Sequence, residues 1–296
     1  GGDMKAAPFQ RHAPTTVDEA VDLLGSVEDA TILAGGQSLV PIMRFRLAEP
    51  SNVIDINGVS GLDHLEESDG QLRIGALVRH ADVDQSDLIA DRYGSFADTA
   101  PLVAEPQVRN RGTVVGSVAQ ADPKGDWGSV LLAHEGEVVA RGAEGERTIP
   151  ADEFFVLPYD TSLEEGELVT EVRVEAAAEG EGSAYEKLKR KVGDYAMVGV
   201  AARVALGDDD AIERAGIGLT SVGITNLRSE AAADVLEGEV PDAELLRRAG
   251  EAASGDAEPQ SDEHGDAEYK ENMVRVLTQR ALVTALDRAG FDLGER

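Results

Sequence analysis

Cysteine is absent from this chain of 296 residues. The chain therefore cannot form a disulfide bond, and it cannot hold an iron–sulfur cluster through thiolate ligands. Histidine is scarce as well, and no two histidines stand three or four positions apart, as paired metal ligands on a helix would. We therefore expect no metal site in this chain. The histidines are His12, His64, His80, His134 and His264.

Long apolar runs are also lacking. No stretch approaches the roughly 18 apolar residues that a membrane-spanning helix needs. The N-terminal region shows no basic segment followed by an apolar one, so the sequence predicts no secretory signal. We expect Met4 to be the natural start of the chain and the protein to be cytoplasmic.

Basic residues are few compared with acidic ones. The chain has 27 Lys and Arg against 57 Asp and Glu, for a formal net charge of −30. Nucleic-acid binding is disfavoured, because contact with phosphates needs a basic face. The acidic residues are spread over the whole length, which favours adaptation to high salt over a surface for one basic partner.

Two glycine-bearing loops are the most informative features that are present. The first is AGGQS at residues 34–38, and the second is RNRGTVVGS at residues 109–117. Glycine accepts positive φ angles and lets the main chain approach an anion closely, so such turns can present backbone N–H groups to a phosphate. Two loops of this kind suit a diphosphate better than a single phosphate.

Neither loop matches Gly-x-Gly-x-x-Gly, and no Gly-Lys-Ser/Thr sequence is present, which disfavours the common dinucleotide and nucleoside-triphosphate folds. Taken alone, the Gly-Gly turn is also explained by ordinary turn chemistry before a helix that starts at Leu39 and that Ser38 could cap.

Two aspartates follow the second loop. Asp122 precedes Pro123, which is typical of a turn. Asp126 stands at the head of a predicted helix, and two roles are open to it. It is either the N-cap of that helix or a carboxylate that accepts hydrogen bonds from the hydroxyls of a sugar or a ribityl chain.

The chain divides into three predicted units, at residues 4–58, 59–176 and 183–290. The first two have mixed α/β patterns, and residues 111–120 of the second are predicted to be β-rich. The sequence AAEGEG at residues 177–182 is a predicted linker. In the third unit, three strand candidates precede three helices, which predicts an α+β domain.

Three motifs resemble those of a known family. AGGQSLVPIMRFRL (residues 34–47) with VIDI (53–56) resembles the first flavin loop of the FAD-binding medium subunit of molybdenum hydroxylases, such as aerobic carbon monoxide dehydrogenase and the xanthine dehydrogenase family. RNRGT (109–113), followed by ADP (121–123) and Asp126, resembles the second loop. YEKLKRK (185–191) with GDYA (193–196) resembles the start of the C-terminal domain.

The resemblance implies an α+β fold. Two α/β subdomains would form a FAD-binding domain of the vanillyl-alcohol oxidase type, and a C-terminal α+β domain with a three-stranded sheet and helices would follow. It also implies an oxidoreductase subunit in a heterotrimer. FAD would take electrons from an iron–sulfur small subunit and pass them to an external acceptor, while hydroxylation would occur at a molybdenum cofactor on a large subunit.

The same resemblance implies residue roles. The two loops would hold the diphosphate of FAD, and Asp126 would meet ribityl or ribose hydroxyls. Leu163 and the region of Lys187 and Lys189 would lie near the isoalloxazine ring, where a lysine can stabilise the reduced anionic form; the alternative for these lysines is a solvated strand position. The implied cofactor-binding residues are Ala34, Gly35, Gly36, Gln37, Ser38, Leu39, Thr113, Val115, Gly116, Ser117, Asp122, Asp126, Leu163, Lys187 and Lys189.

The second loop departs from the usual family pattern, Thr-Ile/Val-Gly-Gly-Asn. Val115 replaces a glycine, and Ser117 replaces the asparagine. A positive φ at Val115 would cost about 1–2 kcal/mol, and a negative φ would still bring its methyl groups near the phosphate. We expect FAD to bind with reduced affinity. Two alternatives are a free-standing FAD-dependent oxidoreductase and a degenerate scaffold subunit that has lost FAD.

Overall fold

The first unit is a small parallel sheet with two helices. The computed structural model describes residues 5–263 and 265–294, so Met4 and His264 lie outside the described residues. Strand Asn52–Asp55 lies between the other two strands and is parallel to both. The elements are β1 (Gln10–His12), α1 (Val17–Ser26), β2 (Ala30–Leu33), α2 (Leu39–Arg44) and β3 (Asn52–Asp55).

The second unit is an antiparallel sheet with short helices. Its strands are β4 (Leu65–Ser68), β5 (Gln71–Gly75), β6 (Glu137–Gly142), β7 (Gly145–Pro150), β8 (Phe155–Leu157), β9 (Asp160–Thr161) and β10 (Leu168–Glu175). Its helices are α3 (His80–Asp84), α4 (Asp87–Arg92), α5 (Gly94–Thr99), α6 (Pro106–Arg109), α7 (Val114–Gln120), α8 (Asp126–Ala133) and α9 (Ala151–Phe154). The main sheet has the order β4-β5-β10-β6-β7, and β8 pairs with β9.

The third unit is an antiparallel sheet covered by three helices. Its elements are β11 (Glu181–Leu188), β12 (Val198–Leu206), β13 (Ile212–Thr220), β14 (Leu227–Arg228), α10 (Glu230–Leu236), α11 (Ala243–Asp256) and α12 (Ala267–Arg288). The expected three-stranded sheet has a fourth strand, because β14 pairs with β13. A strand of two residues is too short to show any hydrophobic alternation. None of the helices in the described residues is long and apolar enough to cross a membrane.

The hydrophobic cores do not follow the three-unit division. The first and second units share one core, in which Val21 and Ile54 of the first unit join Leu72 and Val172 of the second. The third unit has a core of its own between its sheet and its helices. The first two units are therefore stabilised together by this shared core.

Helix α8 connects these two units to the third unit. Two glycines of β13 let the helix lie directly on the strand. A Cβ on Gly216 would stand 1.9 Å from the carbonyl oxygen of Ala133, and a Cβ on Gly218 would stand 1.9 Å from that of Ser129. No residue larger than glycine fits at these two positions of β13, so α8 packs directly against the C-terminal sheet. The first residue of α8, Asp126, faces β11.

A buried carboxylate organises the main sheet of the second unit. The Glu171 side chain is 4% exposed and accepts hydrogen bonds from His64 Nε2 (2.6 Å), Arg73 (3.0 Å) and Arg173. Burial alone would raise the pKa of Glu171, but these three donors outweigh it and hold the pKa at about 2. The hydrogen bond with Glu171 raises the pKa of His64.

We predict that Glu171→Gln lowers the free energy of unfolding by about 1–3 kcal/mol at pH 7, because the amide loses the negative charge and puts an NH2 donor where one acceptor oxygen stood. A carboxylate with a lowered pKa contributes stability above its unfolded pKa of about 4.3 and loses that contribution as the pH falls towards 2. Denaturation at several pH values should therefore show wild type and variant converging between about pH 5 and pH 2. A constant difference over that range would contradict this account.

Candidate functional site

The two glycine loops line one cavity of about 470 Å³, which is in the usual size range of ligand pockets. The first unit, the second unit and β11 of the third unit all contribute to its wall. Thirteen of the fifteen residues expected to bind the cofactor line this cavity: Ala34, Gly35, Gly36, Gln37, Ser38, Leu39, Thr113, Val115, Gly116, Ser117, Asp126, Leu163 and Lys187.

The loops are in direct contact, and Gly35 makes that contact possible. A Cβ on Gly35 would lie 2.4 Å from the carbonyl oxygen of Arg111 and 2.7 Å from the Cα of Gly112. Gly36 has a φ of +73°, a conformation that favours glycine. The Gly-Gly pair therefore serves two separate needs, a close approach and a left-handed turn.

Arg79 joins the loops by hydrogen bonds. Its guanidinium donates to the carbonyl of Arg111 in the second loop and to Asn57 Oδ1 (2.6 Å). Asn57 Nδ2 in turn donates to the carbonyl of Ala34 in the first loop, at 2.8 Å. Neither residue was predicted to belong to the site, because their partners lie 22 or more positions away in the chain.

The first loop lines the cavity and has N–H groups without backbone acceptors. Among the described residues, the N–H groups of Gly35, Gly36, Gln37 and Ser38 donate to no backbone acceptor. Ser38 is at the N-cap of α2, but its hydroxyl makes no capping hydrogen bond, so the predicted capping role is wrong. A turn with several free donors fits a bound anion.

The second loop is the start of a helix, so the β-rich prediction for residues 111–120 is wrong. Thr113 is the N-cap of α7, and its hydroxyl oxygen accepts a hydrogen bond from the N–H of Gly116 at 3.1 Å. The N–H of Ser117 bonds to the carbonyl of Thr113. The Thr113 hydroxyl can still donate its own hydrogen to a ligand.

Val115 is not strained. It lies in the first turn of α7 and does not have a positive φ, and its side chain is buried in the shared core. The β-branched residues Val114, Val115 and Val118 suggested a strand, but they form the buried face of a short helix. Of the two outcomes expected for Val115, the one with a positive φ is therefore excluded.

Asp126 forms a buried ion pair across the domain boundary. Its Oδ2 lies 2.8 Å from Lys187 Nζ, and its Oδ1 accepts a hydrogen bond of 2.6 Å from the hydroxyl of Tyr185. The Asp126 and Lys187 side chains are 5% and 1% exposed. Burial raises the pKa of Asp126, and the Lys187 ammonium is the strongest influence that opposes this rise.

This pair corrects two predictions. Asp126 is the first residue of α8, and Gly125 is the N-cap, so the capping role expected for Asp126 is wrong. Lys187 does not occupy a solvated strand position, because its side chain is enclosed. Both side chains line the cavity wall and are already oriented by each other.

Asp122 and Lys189 are not among the residues that line the cavity. Asp122 Oδ1 accepts a hydrogen bond from the N–H of Lys124, which is the turn role that the Asp-Pro sequence predicts. Burial lowers the pKa of Lys189, and the neighbouring Lys187 contributes to this decrease.

His80 is a cavity residue that sequence reasoning missed. Trp127 Nε1 donates a hydrogen bond of 3.1 Å to His80 Nδ1, and an indole nitrogen can only donate. Burial, with the nearby Arg109 and Arg79, lowers the pKa of His80 to about 4. At neutral pH the ring is therefore uncharged and carries its proton on Nε2, next to Gly112 of the second loop.

Two known protein-domain families match this chain, and together they cover most of it. Residues 7–175 match the FAD binding domain in molybdopterin dehydrogenase, and residues 183–285 match the CO dehydrogenase flavoprotein C-terminal domain. The chain belongs to this flavoprotein family. The family assignment, the FAD cofactor and the α+β fold expected from the sequence motifs are confirmed.

Several relatives match over nearly their full length. The chain is 42% identical to the carbon monoxide dehydrogenase medium chain of Hydrogenophaga pseudoflava, over 95% of this chain and 98% of that one. It is 40% identical to the nicotine 6-hydroxylase medium subunit of Paenarthrobacter nicotinovorans, over 95% and 99%.

Solved structures of the family have the same fold. A chain of carbon monoxide dehydrogenase from Hydrogenophaga pseudoflava superimposes with a TM-score of 0.92, covering 96% of this chain and 99% of that one at 42% identity. Quinoline 2-oxidoreductase from Pseudomonas putida 86 gives 0.89, covering 97% and 100% at 31% identity.

We predict that Lys187→Met lowers the free energy of unfolding by about 3–5 kcal/mol, because it leaves the Asp126 carboxylate buried without its counter-ion. Adding Asp126→Asn should restore much of the loss, since the double variant buries no charge. Chemical denaturation of the wild type, both single variants and the double variant measures this coupling. Additive effects would show that the two side chains do not stabilise each other.

Proposed function

We propose that this chain is the FAD-carrying electron-transfer subunit of a molybdenum hydroxylase complex. It would form a cytoplasmic heterotrimer with an iron–sulfur small subunit and a molybdenum-cofactor large subunit. The dispersed acidic residues support a protein adapted to high salt. The proposal rests mainly on one observation: two touching glycine loops and the buried Asp126–Lys187 pair line a single cavity, in a fold shared with medium subunits of such enzymes.

The cavity residues fit FAD. The open N–H groups of residues 35–38, with the hydroxyls of Ser38 and Thr113, would hold the diphosphate. The Asp126 carboxylate would accept hydrogen bonds from ribityl or ribose hydroxyls through lone pairs that Lys187 and Tyr185 leave open. Leu163 would pack against the isoalloxazine ring. Asp122 and Lys189 do not line the cavity, so they would lie near the FAD site without contacting the cofactor directly.

Each of these residues has a simple physical task. Bound FAD supplies one- and two-electron transfer between the donor and the acceptor. The loops would stabilise the charge of the diphosphate by donating hydrogen bonds, and the side chains of Val115, Leu163 and Val169 would give that part of the cavity an apolar wall. Lys187 would hold the Asp126 carboxylate in one orientation beside the cofactor through their buried ion pair.

The purified chain should therefore bind FAD and be yellow. Gly35→Ala should weaken FAD binding by at least about tenfold, or 1.4 kcal/mol, since the new methyl group forces the loops apart. Gly25→Ala is the matched control, because a Cβ at this exposed helical position meets no other atom. It should bind FAD as the wild type does and be slightly more stable. Absorption titration and calorimetry measure both affinities.

The alternatives give different results. A chain that stays colourless after FAD is added would be a degenerate scaffold. A lone chain that turns over a small-molecule reductant would be a free-standing oxidoreductase. The proposed function predicts a third result, in which the isolated chain binds FAD, has no hydroxylase activity, and acquires a role in turnover only within the complex.

His80 provides a second test of the site. We infer that its Nε2–H donates a hydrogen bond to the bound cofactor, because Trp127 fixes the tautomer. His80→Phe should weaken FAD binding by about 2–13-fold, the value of one hydrogen bond of 0.5–1.5 kcal/mol. His80→Gln keeps a donor and should lose less. Equal loss in both variants, or none in His80→Phe, would contradict this role.

A further inference from the structure

A buried network of polar side chains connects Asp126 to the C-terminal domain. Its members come from α8, β11, β13 and the segment between β13 and β14, and none of them is more than 5% exposed. Polar groups buried to this extent need hydrogen-bond partners, because the loss of contact with water is costly. We call the following side chains the polar network: Asp126, Ser129, Tyr185, Thr220 and Asn226.

Three hydrogen bonds of the polar network run in one direction. Asn226 Nδ2 donates to Thr220 Oγ1 (3.3 Å), and the Thr220 hydroxyl donates to Ser129 Oγ (2.6 Å). The Ser129 hydroxyl donates to the main-chain carbonyl of Asp126 (3.0 Å). The direction is fixed, because an amide nitrogen only donates and a carbonyl oxygen only accepts. The chain of donors therefore ends on Asp126.

Tyr185 completes the polar network at the carboxylate of Asp126. Its hydroxyl donates to Asp126 Oδ1 at 2.6 Å. Burial, followed by the charge of Asp126, raises the pKa of Tyr185 well above its usual value, so the hydroxyl keeps its proton. Hydrogen bonds with Thr220 and Ser129 oppose this rise, so both hydroxyls contact the phenol oxygen. One set of groups thus holds Asp126 at its main-chain carbonyl and at its side chain.

Asn226 also holds the turn that leads into α8. Its Nδ2 donates to the carbonyls of Gly125 (3.0 Å) and Pro123 (3.4 Å). The N–H of Ser221 donates to the Pro123 carbonyl as well, at 2.9 Å. Gly125 and Asp126 are neighbours in the chain, and both line the cofactor cavity. One side chain of the C-terminal domain therefore fixes this part of the cavity wall.

Two glycines leave the space that the polar network occupies. A Cβ on Gly128 of α8 would stand 2.2 Å from Asn226 Oδ1, and a Cβ on Gly199 of β12 would stand 2.3 Å from the hydroxyl oxygen of Tyr185. Stability alone does not require buried polar groups here, because apolar groups of the same shape can replace a hydrogen-bonded pair at little cost. The network therefore calls for a role besides stability.

We propose that Thr220 and Asn226 are positioning residues for the cofactor site. Through the polar network they fix the Asp126 carboxylate and the main chain at Gly125 in the arrangement that binds FAD, which reduces the entropy lost on binding. This inference rests on the proposed function. Neither Thr220 nor Asn226 lines the cavity, so both act through Asp126 and Gly125 and not by contact with the cofactor. Their partners Ser129 and Gly125 lie 91 and 101 positions away in the chain, so no local sequence pattern reveals them.

Two variants test the Thr220 hydroxyl with little change in shape. Thr220→Val removes the hydroxyl and should weaken FAD binding by about 2–13-fold, the range that corresponds to one hydrogen bond. Thr220→Ser keeps the hydroxyl and should bind FAD as the wild type does. Asn226→Ala removes the donor to Thr220 and to two carbonyls, so it should weaken FAD binding at least as much as Thr220→Val. Fluorescence titration of the whole chain with FAD measures each affinity.

Ser229→Ala is the matched control. Ser229 is a fully buried serine of the same domain, its hydroxyl donates to Asp256 Oδ2 at 2.6 Å, and it does not line the cavity. This variant loses a buried hydrogen bond away from Asp126, so it should lower Tm at least as much as Thr220→Val while FAD affinity stays unchanged. An equal loss of FAD affinity in both variants would overturn the positioning role, because lower stability would then explain it.

A double-mutant cycle shows whether Thr220 acts through Asp126. In the Asp126→Asn background, Thr220→Val should change FAD affinity by no more than about twofold, since the carboxylate that it orients is absent. Effects that multiply in the double variant would contradict action through Asp126 and overturn the proposal. Unchanged FAD binding in both Thr220→Val and Asn226→Ala would also overturn it and leave the proposed function intact. A wild-type chain that binds no FAD would overturn both proposals.

Discussion

The buried ion pair between Asp126 and Lys187 is the interaction on which the site depends. It joins the first residue of α8 to β11, and the hydroxyl of Tyr185 completes the arrangement. The glycines of β13 allow α8 to lie close enough to the sheet for the pair to form. The C-terminal domain therefore has a direct part in the cavity, because it supplies the charge that orients Asp126.

The two loops depend on a second constraint, which is close contact of one main chain with the other. Gly35 rests against Arg111 and Gly112, and Arg79 with Asn57 bonds the loops together. The loop surfaces thus face one cavity with their donors already positioned. Such preorganisation reduces the entropy lost when a ligand binds, and it explains why glycines that look like plain turn residues occur at these positions.

Local signals in the sequence predicted much of this site. The glycine loops follow from patterns within a few residues, and the structure brings both of them to one cavity. The helical start at Thr113 was missed because β-branched valines suggested a strand. The burial of Lys187 and the tautomer of His80 depend on partners 61 and 47 positions away, which no local pattern reveals.

The most direct test of the account is a crystal structure of the chain with FAD bound. We predict diphosphate density against the N–H groups of residues 35–38, with the Asp126–Lys187 pair intact beside the ribityl chain or ribose and the ring end of the cofactor towards Leu163. FAD bound outside this cavity, or inside it with the two loops separated and the Asp126–Lys187 pair broken, would contradict the account.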